Sequence, residues 1–230
     1  MYPRHNLVWL SADGWRAACA SAPENDVACL QRWQQEDWPA VVRRADGDAA
    51  EDEICVGIAL PPDAQGCKLR VPFRIAPAAI RLMREPLELI DLLPTAPLRW
   101  QSALRALSDE IRACGLDVRV YGSLALQTLT RQPYLRDGSD IDILFHPADR
   151  RQLAQGLALL ARHAQWLPLD GEVLFGGERA VAWKEWLQAA ADGAHRVLVK
   201  HGRGVQLQRV DALLDAFDGP GAGKEAACKA

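Results

Sequence analysis

The chain has 230 residues, 49% of them apolar and 25% charged, which suits one large globular domain or two small ones. Its 27 basic residues against 30 acidic ones give a net charge of −3 with no long basic run, which argues against a protein that holds long DNA or RNA. No apolar run approaches the ~18 residues that span a bilayer, and the N-terminus lacks the apolar core of a signal peptide.

Residues 1–94 hold short β-like runs between turn-forming and acidic loops. Leu7–Leu10, Ala40–Arg43, Val56–Leu60 and Leu69–Phe73 are the expected strands. A helix is expected over Glu24–Gln35, ending before Trp38-Pro39, and a shorter one opening at Pro77. The acidic segment Asp46–Glu53 is expected to be a solvated loop. From residue 95 the signals sharpen. Pro97 suits a first helical turn, Trp100, Leu104, Leu107, Ile111 and Cys114 follow at helical spacing, and Gly115 suits a left-handed cap. Asp117–Tyr121 alternates like a strand, Gly122-Ser123 turns into a short helix to Thr130, and a loop leads to the strand Asp140–Phe145. Pro147-Ala148-Asp149 opens a helix with Leu153, Leu157 and Leu160 on one face. Trp166–Leu169, Glu172–Phe175 and Arg179–Trp183 are expected as consecutive strands joined at Asp170-Gly171 and Gly176-Gly177, and Val210–Phe217 as a last helix. This order implies an α+β fold with a mixed sheet: a smaller α+β domain over 1–94 for substrate or carrier binding, a catalytic domain over 95–218 and a disordered tail over 219–230. The six cysteines form no CxxC pair and no zinc-like cluster, so reduced thiols in a cytoplasmic protein are expected.

The chemistry concentrates in Tyr121-Gly122-Ser123 and Gly138-Ser139-Asp140-Ile141-Asp142. Residues two apart on a strand share a face, so Asp140 and Asp142 are expected to project together while Ile141 and Ile143 bury. Two like charges held together repel, and a hard divalent cation relieves that repulsion. Mg²⁺ is typically held by one or two carboxylates and substrate phosphates. Gly122 lets backbone approach a phosphate, and Ser123 begins a helix whose N-terminus favours anions. A lone D-x-D pair or a lone Gly-Ser turn is commonplace. The two in this order are not.

This arrangement resembles the signature of the nucleotidyltransferase superfamily, the fold of DNA polymerase beta. The resemblance implies that the Gly-Ser turn contacts a triphosphate, that Asp140 and Asp142 hold two Mg²⁺ ions, and that a later strand supplies a third carboxylate. Asp170, Glu172 and Glu185 are the candidates; Glu172 is favoured because apolar Val173-Leu174-Phe175 gives it the better strand context, while Asp170-Gly171 is equally a hairpin turn.

Blocks outside the motif narrow the resemblance. Pro3–Leu10, Trp38–Arg44, Val56–Pro61, Val120–Ala125, Tyr134–Asp142 and Val181–Trp186 together resemble the accessory transferase of malonate decarboxylase, the phosphoribosyl-dephospho-CoA transferase family, over nearly the full chain. That likeness implies a reaction. The donor is 2′-(5″-triphosphoribosyl)-3′-dephospho-CoA, the acceptor is a serine of the malonate decarboxylase acyl-carrier protein, and diphosphate is released. One ion would activate the serine oxygen, the other would neutralise the leaving diphosphate, and Glu172 would take the serine proton. Phosphate charge needs cations. Arg43 and Arg44, Arg136 beside the catalytic strand, and Ser139 in its turn are the expected substrate contacts together with Gly122 and Ser123; Arg4, His5, Arg131, Lys200-His201 and the pair Lys68 and Arg70 are weaker ones.

Overall fold

The computed structural model describes residues 2–176, 179–192, 195–202 and 204–217; the tail expected to be disordered, 219–230, lies outside them, as does Gly177 of the expected Gly176-Gly177 turn. In chain order the elements are β1 (Leu7–Leu10), α1 (Ala12–Ser21), α2 (Glu24–Gln35), β2 (Ala40–Val42), β3 (Ile54–Ala59), β4 (Arg70–Ile75), β5 (Ile80–Arg84), β6 (Leu87–Glu88), α3 (Leu89–Leu92) and α4 (Leu98–Ala113). Then follow β7 (Asp117–Tyr121), α5 (Gly122–Thr130), β8 (Ile141–His146), α6 (Arg150–His163), β9 (Leu169–Phe175), β10 (Arg179–Ala182), α7 (Trp183–Asp192), β11 (Arg196–His201), β12 (Gly204–Arg209) and α8 (Val210–Leu214).

The strands form two sheets. β4-β3-β2-β1-β5 is antiparallel throughout, and β12-β11-β10-β9-β8-β7-β6 is mixed, its one parallel pair being β8 with β9. The α+β reading therefore stands, with a five-stranded and a seven-stranded layer. The second sheet begins at Leu87, so β6 and α3 pack with α4 in the second core.

The first sheet buries one face and leaves the other open. Val8, Leu10, Val56, Ile58, Val71 and Phe73 alternate inward against Trp15 of α1 and Leu30 and Trp33 of α2. Their neighbours Leu7, Val41, Gly57, Ala59, Arg70 and Pro72 line a cleft between the sheets. In the second sheet Ile141, Ile143 and Phe145 of β8 bury beneath α4 and α6, whose apolar stripes Leu104, Leu107 and Ile111, and Leu153, Leu157 and Leu160, match the expected spacing. Asp149 caps α6 by accepting from the Gln152 amide at 2.7 Å.

The structure departs from these expectations in several places. Pro77 opens a single 3₁₀ turn, Pro77–Ala79, and the chain then extends into β5 instead of forming a helix. Trp183, expected to end a strand, begins α7, and α1, α7, β11 and β12 were not foreseen. Asp170-Gly171 is no hairpin: it lies inside β9, where Gly171 has φ 125° and pairs in register with Ile143 of β8. A Cβ on Gly171 would strike the Ile143 backbone, so this glycine serves close strand approach, not a turn.

Candidate active site

The site sits where β7, α5, β8 and β9 meet the open face of the first sheet. Tyr121 ends β7 opposite Asp142 in register, and Gly122 turns the chain into α5 with φ 73°. That conformation suits glycine, but space decides the matter. A Cβ on Gly122 would overlap the Asp142 carboxylate, with the carboxyl carbon only 2.8 Å away. The turn and the acid are packed on one another. Ser123 is buried beside them and its hydroxyl accepts from the Lys68 ammonium at 2.6 Å. Lys68 belongs to the loop between β3 and β4, so the two halves meet at the motif itself.

Asp142 lies opposite Asp170 across the parallel pair. Burial, then the charges of Asp170 and Asp140, push its carboxyl up to about 6. Asp140 precedes β8 and is exposed, at the rim. Among the described residues no three His, Cys, Asp or Glu side chains converge closely enough to hold a metal ion. The pair Asp142 and Asp170 nevertheless fits Mg²⁺, whose usual protein share is one or two carboxylates, the remainder coming from substrate phosphate and water.

Glu172, the expected third acid, is differently employed. It is 4% exposed; Arg4 donates to one oxygen at 2.5 Å and Lys200 to the other at 2.8 Å. Burial alone would raise its carboxyl, but hydrogen bonds from His5 and Lys200 and the charge of Arg4 prevail and hold it at about 2. A carboxylate so held is a poor proton acceptor. Asp170, half-exposed and 3.5 Å from Lys184, is the one beside Asp142. Glu185 accepts from the Leu198 amide at 2.7 Å, pinning α7 to β11.

The expected cations divide similarly. Arg43 is held by Asp46 at 2.5 and 2.7 Å and donates its Nε to the Val56 carbonyl, so its charge is locally satisfied. Arg44 lines the cleft, and its buried Nε has no hydrogen-bond partner. Arg136 reaches the Asp63 carbonyl of the first half, while its amide donates to the Ser139 hydroxyl at 2.8 Å. Both residues therefore shape the loop before β8, and neither lines the cleft. Four cations that had seemed secondary do line it: Arg4, Lys68, Arg70 and Lys200. The available signal for two of them was the alternation Lys68-Leu69-Arg70-Val71, which sets both cations on the face opposite buried Val71. His5, with φ 73°, packs its ring against Tyr121 at 3.9 Å, and burial lowers its pKa. The cleft measures about 670 Å³, with Asp142 and Glu172 as its acids against six Lys and Arg side chains.

Two domain models for phosphoribosyl-dephospho-CoA transferase MdcG match the chain in succession, the N-terminal domain over residues 3–86 and the C-terminal domain over 87–211. The chain belongs to the phosphoribosyl-dephospho-CoA transferase family. A phosphoribosyl-dephospho-CoA transferase of Xanthomonas campestris pv. campestris (strain 8004) is 36% identical over 215 residues, covering 93% of this chain and 97% of its own. Those of Bradyrhizobium diazoefficiens and Pseudomonas aeruginosa are 34% and 33% identical, covering 86% and 80% of this chain and 85% and 83% of theirs. No solved structure matches the chain. The junction of the two domain models, between 86 and 87, coincides with the passage from the first sheet to the second. In this transferase the cleft is thus built by both family domains. No helix among the described residues is long and apolar enough to cross a membrane.

Proposed function

We propose that this transferase moves the phosphoribosyl-dephospho-CoA group from 2′-(5″-triphosphoribosyl)-3′-dephospho-CoA to a serine of the malonate decarboxylase acyl-carrier protein, using a nucleotidyltransferase-type site. The observation that carries the reading is the fit of Gly122 beneath the Asp142 carboxylate, next to Ser123 and Lys68, inside a cationic cleft.

The donor's triphosphate lies against the Gly122-Ser123 turn. There the first amides of α5 and the Ser123 hydroxyl donate to it, and Lys68 neutralises it. Asp142 and Asp170 would hold Mg²⁺, with Asp140 at the rim, and the ion would there offset phosphate charge and make the acceptor hydroxyl a better nucleophile. Asp170 takes the role that sequence alone assigned to Glu172: it accepts the serine proton as the serine oxygen attacks the α-phosphorus. The bond from that phosphorus to the bridging β-oxygen breaks, and diphosphate leaves. Glu172 instead holds Arg4 and Lys200 in the cleft wall, which keeps two cations oriented and still leaves the trio net positive.

The test is to incubate apo-carrier with Mg²⁺ and the triphosphoribosyl donor, ATP or CoA, and to weigh the intact carrier. A gain equal to phosphoribosyl-dephospho-CoA, seen with the first donor alone and lost on chelation, is expected. Adenylylation by ATP without that gain would replace this reading with a general nucleotidyltransferase.

A further inference from the structure

The donor differs from a nucleoside triphosphate in carrying two polyanionic arms. One is the triphosphate at which transfer occurs. The other is the diphosphate that joins adenosine to pantetheine. Selecting this molecule over ATP calls for a second cation, on the same face as the first but away from the reacting turn.

The loop before β4 and the first residue of that strand supply the pair: Lys68 and Arg70 both line the cleft, and Val71 and Phe73 after Arg70 are buried in the first core. Lys68 reaches the Ser123 hydroxyl. Arg70 lines the same cleft, is exposed, and has no ion pair or hydrogen bond from its side chain among the described residues. The nearby arginines of this sheet are differently placed: Arg43 is held by Asp46, and Arg74 by Asp46, Asp48 and Glu53. Beside Arg70 the floor is low. Ala59 pairs with it in register and Gly57 pairs with Pro72, so the strand beside Arg70 carries small side chains, while the Arg43 side chain lies over Gly57. The Tyr134 hydroxyl donates to the Ala59 carbonyl at 2.7 Å, fixing this floor to the loop that leads into β8. Arg44 also lines this cleft with an unpartnered Nε, but it is half-buried, whereas Arg70 is exposed. An exposed, unpaired guanidinium suits a chain bearing a diphosphate, because a planar fork grips paired phosphate oxygens.

We propose that Arg70, over the Gly57–Ala59 floor, binds the diphosphate of the dephospho-CoA arm and is the residue by which this transferase distinguishes its donor from an ordinary nucleoside triphosphate. The proposal rests on the reading of the cleft as the donor site. Lys68 serves one arm and Arg70 the other.

Calorimetric titration of the full chain with three ligands separates the arms: inorganic triphosphate, dephospho-CoA and the complete donor. Arg70→Gln is expected to weaken dephospho-CoA and the donor by about tenfold or more while inorganic triphosphate stays within about twofold. Lys68→Gln is expected to do the reverse, weakening inorganic triphosphate and the donor and sparing dephospho-CoA. Arg70→Lys, which keeps the charge and loses the fork, should fall between wild type and Arg70→Gln. Unchanged dephospho-CoA affinity in Arg70→Gln would overturn the assignment, and so would an equal loss for inorganic triphosphate. The underlying reading fails separately, if Lys68→Gln and Ser123→Ala both leave donor binding intact.

Discussion

Replacing Gly122 by alanine tests the packing of the turn on the acid. The added methyl acts twice. At φ 73° an L-residue costs roughly 1–2 kcal/mol relative to glycine. The Cβ also lies 2.8 Å from the Asp142 carboxyl carbon and 3.2 Å from its Cβ, well inside the ~3.5–4.0 Å at which carbons pack comfortably. The carboxylate must swing aside by something near 1 Å, a displacement that can cost on the order of 100-fold in rate. Melting should fall by about 2–8 °C from the backbone term alone, at roughly 2–4 °C per kcal/mol for a chain of this size. The measurements are initial rates of carrier modification by intact mass and thermal melts of both variants. The decisive comparison is Gly122→Ala in an Asp142→Ala background, where the overlap with the carboxyl group is gone and only the backbone cost and the 3.2 Å Cβ contact remain. The two substitutions should therefore be non-additive in stability. If Gly122→Ala turned over like wild type, or lost the same stability in both backgrounds, the contact with Asp142 would not be the reason for this glycine.

Asp170→Asn should cut transfer by about 100-fold or more, within the ~10²–10⁴ range for losing a general base, and leave the melting temperature unchanged or higher because one of two facing charges is removed. Glu172→Gln should instead cost about 3 kcal/mol of stability in urea unfolding, because Arg4 and Lys200 lose their buried partner. Its pH signature has a fixed sign: with the folded carboxyl at about 2 against an ordinary 4.5, the stabilisation is complete above pH 4.5, fades as pH falls toward 2, and should be missing from the Gln variant. Ser123→Ala should raise the donor KM by about tenfold with little change in kcat, the pattern of a lost ground-state contact, read by steady-state kinetics.

The stretch from residue 95 to 163 was the more legible because its signals are local, whereas α7, β11 and β12 after it were not foreseen. Trp100, Leu104, Leu107 and Ile111 repeat at helical spacing and all are buried, and Gly122–Thr130 forms the short helix its turn suggests. Helix α1 gave little to work with: it buries only Gly14, Trp15 and Ala18, and its best cue was the cap in which Ser11 accepts from the Gly14 amide at 3.1 Å. The stretch Asp170-Gly171 misled because a glycine after an aspartate looks the same whether it turns a chain or lets two strands close up; only the Ile143 backbone beside it distinguishes the cases. The third acid was illegible for a related reason. Asp170 and Glu172 lie on the same face of one strand, and what separates their roles is the company each keeps: Asp142 across the sheet for one, Arg4 from 168 residues earlier for the other.

Those long-range partners show what the first domain contributes to catalysis. Ties that join the halves include Lys68 to Ser123, Tyr134 to Ala59, Arg136 to the Asp63 carbonyl, Arg4 to Glu172, Arg119 to Glu85, and the Ala45 amide to the Gly202 carbonyl. Some of these end on the Gly122-Ser123 turn or on the strand that bears Asp170, and two hold the loop leading into β8. A domain that only docked a carrier would have no need to reach these points. Hydrogen bonds to charged groups inside a cleft are individually worth about 1.5–3 kcal/mol, so this set is strong enough to fix the sheets relative to one another. On the proposed reading, catalytic geometry and donor selection share one interface: several residues that hold the halves together, Arg4 and Lys68 among them, also line the cleft.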